Sequence, residues 1–283
     1  MEDIILLLVN DKRMKDILTY PVLIEVCDII DKMYQLGWDE RNGGNVSYLL
    51  DENELSEYLD LSKVIRTYSL NFDASELKGK YFLATGTGKY FRNTKKDPET
   101  NLGIFRVSDD GLNAELIWGY KDGGRSTSET YAHLMCHATR LKVDPKHRVV
   151  IHSHPTNILA LTHILPNDEK IFTKELWKVM TECIVVFPEG IGVLPWMQCG
   201  TYEIGVETCK KMTDRRLVVW GLHGIYGVGE TIDEAFGLIE TVEKASEVYL
   251  KYRNFEEVNT ISDENLKGIA KFYGGKPRDG YLD

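Results

Sequence analysis

The stretch VVIHSHPTNILALTHIL, from Val149 to Leu165, decides how the chain is read. Its opening β-branched run is too short for an ordinary helix and predicts a strand that ends near its histidines. Alternate side chains of a strand share a face, so His152 and His154 direct both imidazoles to one side while Ser153 points away. Neutral imidazole is a common zinc ligand, and a catalytic zinc takes three protein ligands and keeps one position open. The pair also admits a plain structural reading, with one histidine at a strand end and the other hydrogen-bonded in the core.

Further along, RLVVWGLHG predicts another apolar strand ending in a histidine, and His223 is a candidate third ligand from a neighbouring strand. Alone, it reads as a turn histidine beside glycine. On the amino-terminal side, Ser126, Thr127, Ser128 and Glu129 open a helix predicted to run to about Arg140. S-x-x-E is a capping box, and the local pattern does not separate that role for Glu129 from a catalytic one. A rival metal face exists on the same helix, because Glu129, His133 and His137 recur at four-residue intervals. His147 and His163 have no partner pattern and are read as structural.

Elsewhere, Leu23, Val26, Cys27, Ile30, Met33 and Tyr34 follow helical spacing up to a stop at Gly37. VSYLL is a strand, residues 51–79 read as a variable polar connection, and YFLATGTGK is a strand entering a glycine turn. IFRV and AELIWG flank DDG as a hairpin, CIVVF and IGVLPW flank PEG as a second, and TIDEAFGLIETVEKASEVYLKY is a long helix. Strands, hairpins and helices do not alternate as in a Rossmann sheet. The expected fold is therefore α/β: a single three-layer α/β/α domain over residues 1–283 with a largely antiparallel central sheet.

Bulk properties narrow the function. The formal net charge of −10 disfavours nonspecific binding to nucleic acid or to an anionic membrane. No apolar run approaches the ~20 residues of a membrane helix, and MEDIILLLVN, short and acidic at its start, is a poor signal peptide. Cys27, Cys136, Cys183, Cys199 and Cys209 are odd in number and lack CxxC spacing, which points to reduced thiols. A cytoplasmic enzyme or binding protein is expected.

Two glycine loops, NGGN at 42–45 and TGTG at 85–88, let backbone N–H groups converge on an anion, and Thr127 and Ser128 add hydroxyls at a helix start. Neither loop fits a P-loop or the dinucleotide fingerprint, and turn chemistry explains each alone. Together, GWDERNGGN, TGTGKYFRN, TSE, HSHPTNILALT, TECIVVFPEGIGVLPW and LHGIYGVGETIDEAFGLI resemble the class II sugar-phosphate aldolases over about residues 20–275. GWDERNGGN and TECIVVFPEGIGVLPW are similar, more narrowly, to members acting on L-rhamnulose 1-phosphate.

The resemblance implies one Zn2+ per subunit held by His152, His154 and His223, with Glu129 beside it as catalytic acid/base. It implies that Asn42, Gly44, Asn45, Thr87, Thr127 and Ser128 form the phosphate and substrate pocket. It also implies a homotetramer with active sites at subunit interfaces, in which Glu182 is a second acid supplied by the adjacent subunit. The implied reaction is reversible cleavage to dihydroxyacetone phosphate and L-lactaldehyde. The loop reads TGTG where the family form is TGSG, which keeps the hydroxyl, and HSHP replaces an HCHA-like form without removing a ligand. A related aldolase or a pentulose-phosphate 4-epimerase, a noncatalytic zinc- or sugar-phosphate-binding protein, and a zinc hydrolase are the other readings.

Overall fold

Strand β6 (Val149–Ser153) pairs antiparallel with β1 (Asn45–Leu50) on one side and with β9 (Gly224–Gly229) on the other, and this trio is the centre of the molecule. In the computed structural model, which describes residues 14–256 and 259–282, six further strands complete one sheet. They are β2 (Arg66–Ser69), β3 (Tyr81–Thr85), β4 (Leu102–Val107), β5 (Asn113–Gly119), β7 (Gly192–Leu194) and β8 (Leu217–Trp220). The order is β2-β5-β4-β3-β1-β6-β9-β8-β7, and every pairing is antiparallel except β7 with β8. MEDIILLLVN lies outside the described residues.

The strand period separates two apolar faces. Val149, Ile151 and Ile225 pack with the helices Pro21–Gln35 and Ile232–Tyr252. Val150, Tyr226 and Val228 pack on the other side against Ala132 and Cys136 of helix Thr130–Val143 and Ile204 of helix Tyr202–Met212. Helices on both faces of a mostly antiparallel sheet match the expected three layers. The helix predicted from Leu23 to Tyr34 runs Pro21–Gln35, with proline at its first turn and Gly37 beyond its end at φ 71°. Among the described residues, no helix is long and apolar enough to cross a membrane.

Four local expectations are corrected. Residues 51–79 are more than a connection, because they contain β2, which pairs with β5 at the sheet edge. Its RTYS sequence alternates half-buried and exposed residues, and a four-residue edge strand carries little apolar signal. CIVVF belongs to no hairpin: Thr181–Val186 is helical, Cys183 and Ile184 are buried, and β7 then runs parallel to β8. A short apolar run is compatible with either state, and packing here selects the helix. LVVW ends at Trp220, so His223 sits in the turn to β9 rather than on a strand. Finally, the helix after Ser126 begins at Thr130, and Glu129 makes no side-chain capping bond. Ser126 Oγ instead meets Thr130 Oγ1 at 2.7 Å, leaving the Glu129 carboxylate free to turn toward the sheet.

Candidate active site

Sheet register assembles the site. Asn45 of β1 pairs with His152 of β6, and His152 pairs with Tyr226 of β9, so the three side chains form one row across adjacent strands. His152 Nδ1 meets the Ile225 carbonyl at 3.1 Å and therefore carries the proton, which leaves Nε2 as an acceptor. His154, just past the strand, has Nδ1 at 2.9 and 3.0 Å from the two oxygens of Glu40 and likewise presents Nε2. The two Nε2 atoms stand 3.2 Å apart.

His223 reaches the same point from a tight turn. Leu222 has φ 59°, its N–H is fixed by Thr162 Oγ1 at 3.0 Å, and the Gly221 N–H is fixed by the Leu194 carbonyl at 2.9 Å. One ring nitrogen from each of His152, His154 and His223 lies within 4.8 Å of the others. Burial, then the neighbouring histidines, holds the His152 imidazole well below its ordinary range, and burial pushes His223 down to about 4. Both rings are therefore neutral near pH 7.

The donor set fits a cation. With both outer nitrogens committed to acceptors, the Nε2 lone pairs of His152 and His154 face each other, which is repulsive unless a positive charge lies between them. Two nitrogens held tetrahedrally at about 2.0–2.1 Å from a zinc stand roughly 3.3 Å apart. The observed separation is close to that. The rival face does not compete, because His133 and His137 are buried and both bond to Ser47 Oγ, at 2.7 and 2.8 Å.

Glu129 completes the centre. Its Oε2 accepts from Asn45 Nδ2 and from the Tyr226 hydroxyl, each at 2.9 Å, and lies 3.8 Å from His152 Nε2. A cavity of about 140 Å³ is lined by Asn42, Gly43, Gly44, Asn45, Gly86, Thr87, Gly88, Thr127, Ser128, Glu129 and the three histidines. Of the site residues that the resemblance implies, Glu182 alone stands apart: it is exposed on helix Thr181–Val186 and does not line this cavity. A larger and more apolar cavity, between Phe72, Leu134, Met135 and Val206, gathers no comparable set of groups.

The model of the Class II Aldolase and Adducin N-terminal domain family matches residues 24–250. The chain belongs to the class II aldolase family. This family is metal-dependent, and its sugar-phosphate aldolases are carbon–carbon lyases. The rhamnulose-1-phosphate aldolase of Listeria monocytogenes is 51% identical over 270 residues, which cover 95% of this chain and 99% of that protein. That of Enterococcus faecalis is 49% identical over 269 residues, covering 95% and 96%. The crystal structure of a sugar-phosphate aldolase from Thermotoga maritima superposes with a TM-score of 0.71 at 28% identity, covering 83% of this chain and 96% of that one. Within this aldolase fold, sequence reasoning missed Glu40 and Tyr226. Both lay inside quoted motifs, GWDERNGGN and LHGIYGVGETIDEAFGLI, with no partner to suggest their use, and Tyr226 lies on β9, a strand that was not anticipated.

Proposed function

We propose that this aldolase cleaves L-rhamnulose 1-phosphate reversibly to dihydroxyacetone phosphate and L-lactaldehyde with one zinc ion per subunit. The observation that carries the reading is the convergence of Glu129, three histidines and two glycine loops in one small cavity. The choice of substrate is supported by near full-length relatives of about 50% identity that bear that substrate's name.

His152, His154 and His223 are the residues that would hold the metal. When bound there, it supplies Lewis-acid stabilisation of the negative charge that develops as the C3–C4 bond breaks. The loops at Asn42–Asn45 and Gly86–Gly88, with Thr127 and Ser128, grip the phosphate and so fix which carbon faces Glu129. Glu129 returns a proton to the hydroxymethyl carbon of the three-carbon product in cleavage and removes it in synthesis. Glu182, contributed by the neighbouring subunit of a homotetramer, moves the proton at the aldehyde oxygen.

The test is a coupled assay for dihydroxyacetone phosphate release from L-rhamnulose 1-phosphate, run before chelation, after chelation and after zinc is restored. Release that vanishes with the metal and returns with it is expected. Folded, zinc-loaded protein that releases nothing from this substrate but acts on an epimeric ketose phosphate would overturn the substrate. Inactivity on all of them would overturn the lyase reading.

A further inference from the structure

The histidine pair excluded from the metal centre stands at the far end of a buried chain of hydrogen bonds that terminates on Glu129. From the catalytic carboxylate inward, Glu129 Oε2 meets Asn45 Nδ2, Asn45 Oδ1 meets His133 Nε2, His133 Nδ1 meets Ser47 Oγ, and Ser47 Oγ meets His137 Nε2. His133, Ser47 and His137 are each no more than 2% exposed. None of them lines the cavity.

Every bond in this chain has a forced direction. A carboxylate only accepts, so the Asn45 amide turns its NH2 outward and its carbonyl inward. That carbonyl requires the proton of His133 on Nε2. A neutral His133 then has a lone pair at Nδ1, which takes the Ser47 O–H, and the Ser47 oxygen in turn takes an N–H from His137 Nε2. His137 Nδ1 has no hydrogen-bond partner among the described residues, as suits a bare lone pair better than a buried N–H. Burial keeps both imidazoles neutral, pushing His133 down to about 3 and His137 well below its ordinary range.

We propose that His133, Ser47 and His137 are positioning residues for Glu129: through Asn45 they fix the rotation of its carboxylate, with Tyr226 as the second donor on the same oxygen. The amide of Asn45 has two orientations, and its orientation decides whether a donor or an acceptor faces Glu129. Without His133 the wrong one presents a carbonyl to a carboxylate. The buried chain removes that choice before substrate arrives. Only the kinetic consequence rests on the lyase reaction proposed above.

Two measurements on the metal-loaded, full-length protein test this. Long-range 1H–15N correlation of histidine-labelled protein is expected to find both His133 and His137 in the Nε2–H form, and an Nδ1–H form or an imidazolium at either would overturn the chain. In kinetics, His133→Phe is expected to lower kcat roughly 10–100-fold, as misplacement of a catalytic group does. KM should stay within about threefold and metal content unchanged, while His133→Gln, which keeps a donor toward Asn45, recovers most of the loss. Wild-type kcat in His133→Phe, or equal losses of kcat and metal in both variants, would overturn the positioning role. If His133→Phe does not fold, Ser47→Ala is read by the same criteria. A wild-type protein inactive on every ketose phosphate would overturn the function instead, and the tautomers would still decide the chain.

Discussion

Glu40 holds the outer nitrogen of His154 although its side chain is 71% exposed, which marks it as a replaceable but useful support. A carboxylate behind a ligating imidazole fixes ring orientation and raises ligand basicity, and its loss costs about 10–100-fold in metal affinity. Glu40→Gln is therefore expected to release its metal to a competing chelator at correspondingly lower chelator concentration, with kcat restored at saturating metal; unchanged affinity would remove Glu40 from the centre. Glu129→Gln should do the reverse, keeping metal and fold while turnover falls roughly 10²–10⁴-fold, and near-normal turnover would refute its role as acid/base. At this scale the sequence was partly legible. The two-residue spacing of His152 and His154 follows from the strand period alone, whereas Glu129 looked equally like a cap. Only the contacts from Asn45 and Tyr226, 84 and 97 residues away, distinguish the two readings of Glu129.

Among the elements, β9 bears most directly on the site while being the one least visible in the sequence. GIYGVG has three glycines, which depress strand propensity, yet all three are required by close approach. A Cβ on Gly224 would run into the Ser153 carbonyl and stand 2.8 Å from the His154 ring. Gly227 admits Ile239 and the Ala235 carbonyl of the long helix, which a Cβ would meet at 2.9 and 3.0 Å. Gly224→Ala is thus expected to push β9 from β6, lowering stability by about 1–3 kcal/mol and metal occupancy with it. A denaturation midpoint and metal content both at wild-type values would contradict this. The strands that were legible, β1, β3, β4, β5, β6, β7 and β8, have apolar runs beside clear turn residues. Those that were not are short, polar at an edge or rich in glycine. The misread CIVVF segment has β-branched residues, but tertiary burial of Cys183 and Ile184 outweighs that preference.

For the molecule as a whole, the buried histidines set a pH dependence. In the unfolded chain, His133 and His137 take up protons near their ordinary value of 6.5, whereas burial holds the folded forms neutral, His133 down to about 3. Below pH 6.5 the unfolded state binds more protons, so stability is fully present above that pH and declines below it, by about 1.4 kcal/mol per pH unit for each histidine. The urea midpoint of metal-free protein should be lower at pH 5 than at pH 7, and equal midpoints would contradict the burial of these rings as neutral species. Glu182 belongs to this scale too. It does not line the cavity of its own chain, so its proposed part in the reaction calls for an adjacent subunit, and a fully active monomer in sedimentation analysis would remove that role.

The row formed by Asn45, His152 and Tyr226 has a further consequence, in time rather than in space. Its members are far apart along the chain, and strand pairings between distant residues are among the slowest contacts for a folding polypeptide to make. Until β1, β6 and β9 have all aligned, His152 and His154 have no settled partner in His223. Tight capture of a metal ion therefore waits for these pairings, and its arrival is a clock that reads the alignment of the central strands.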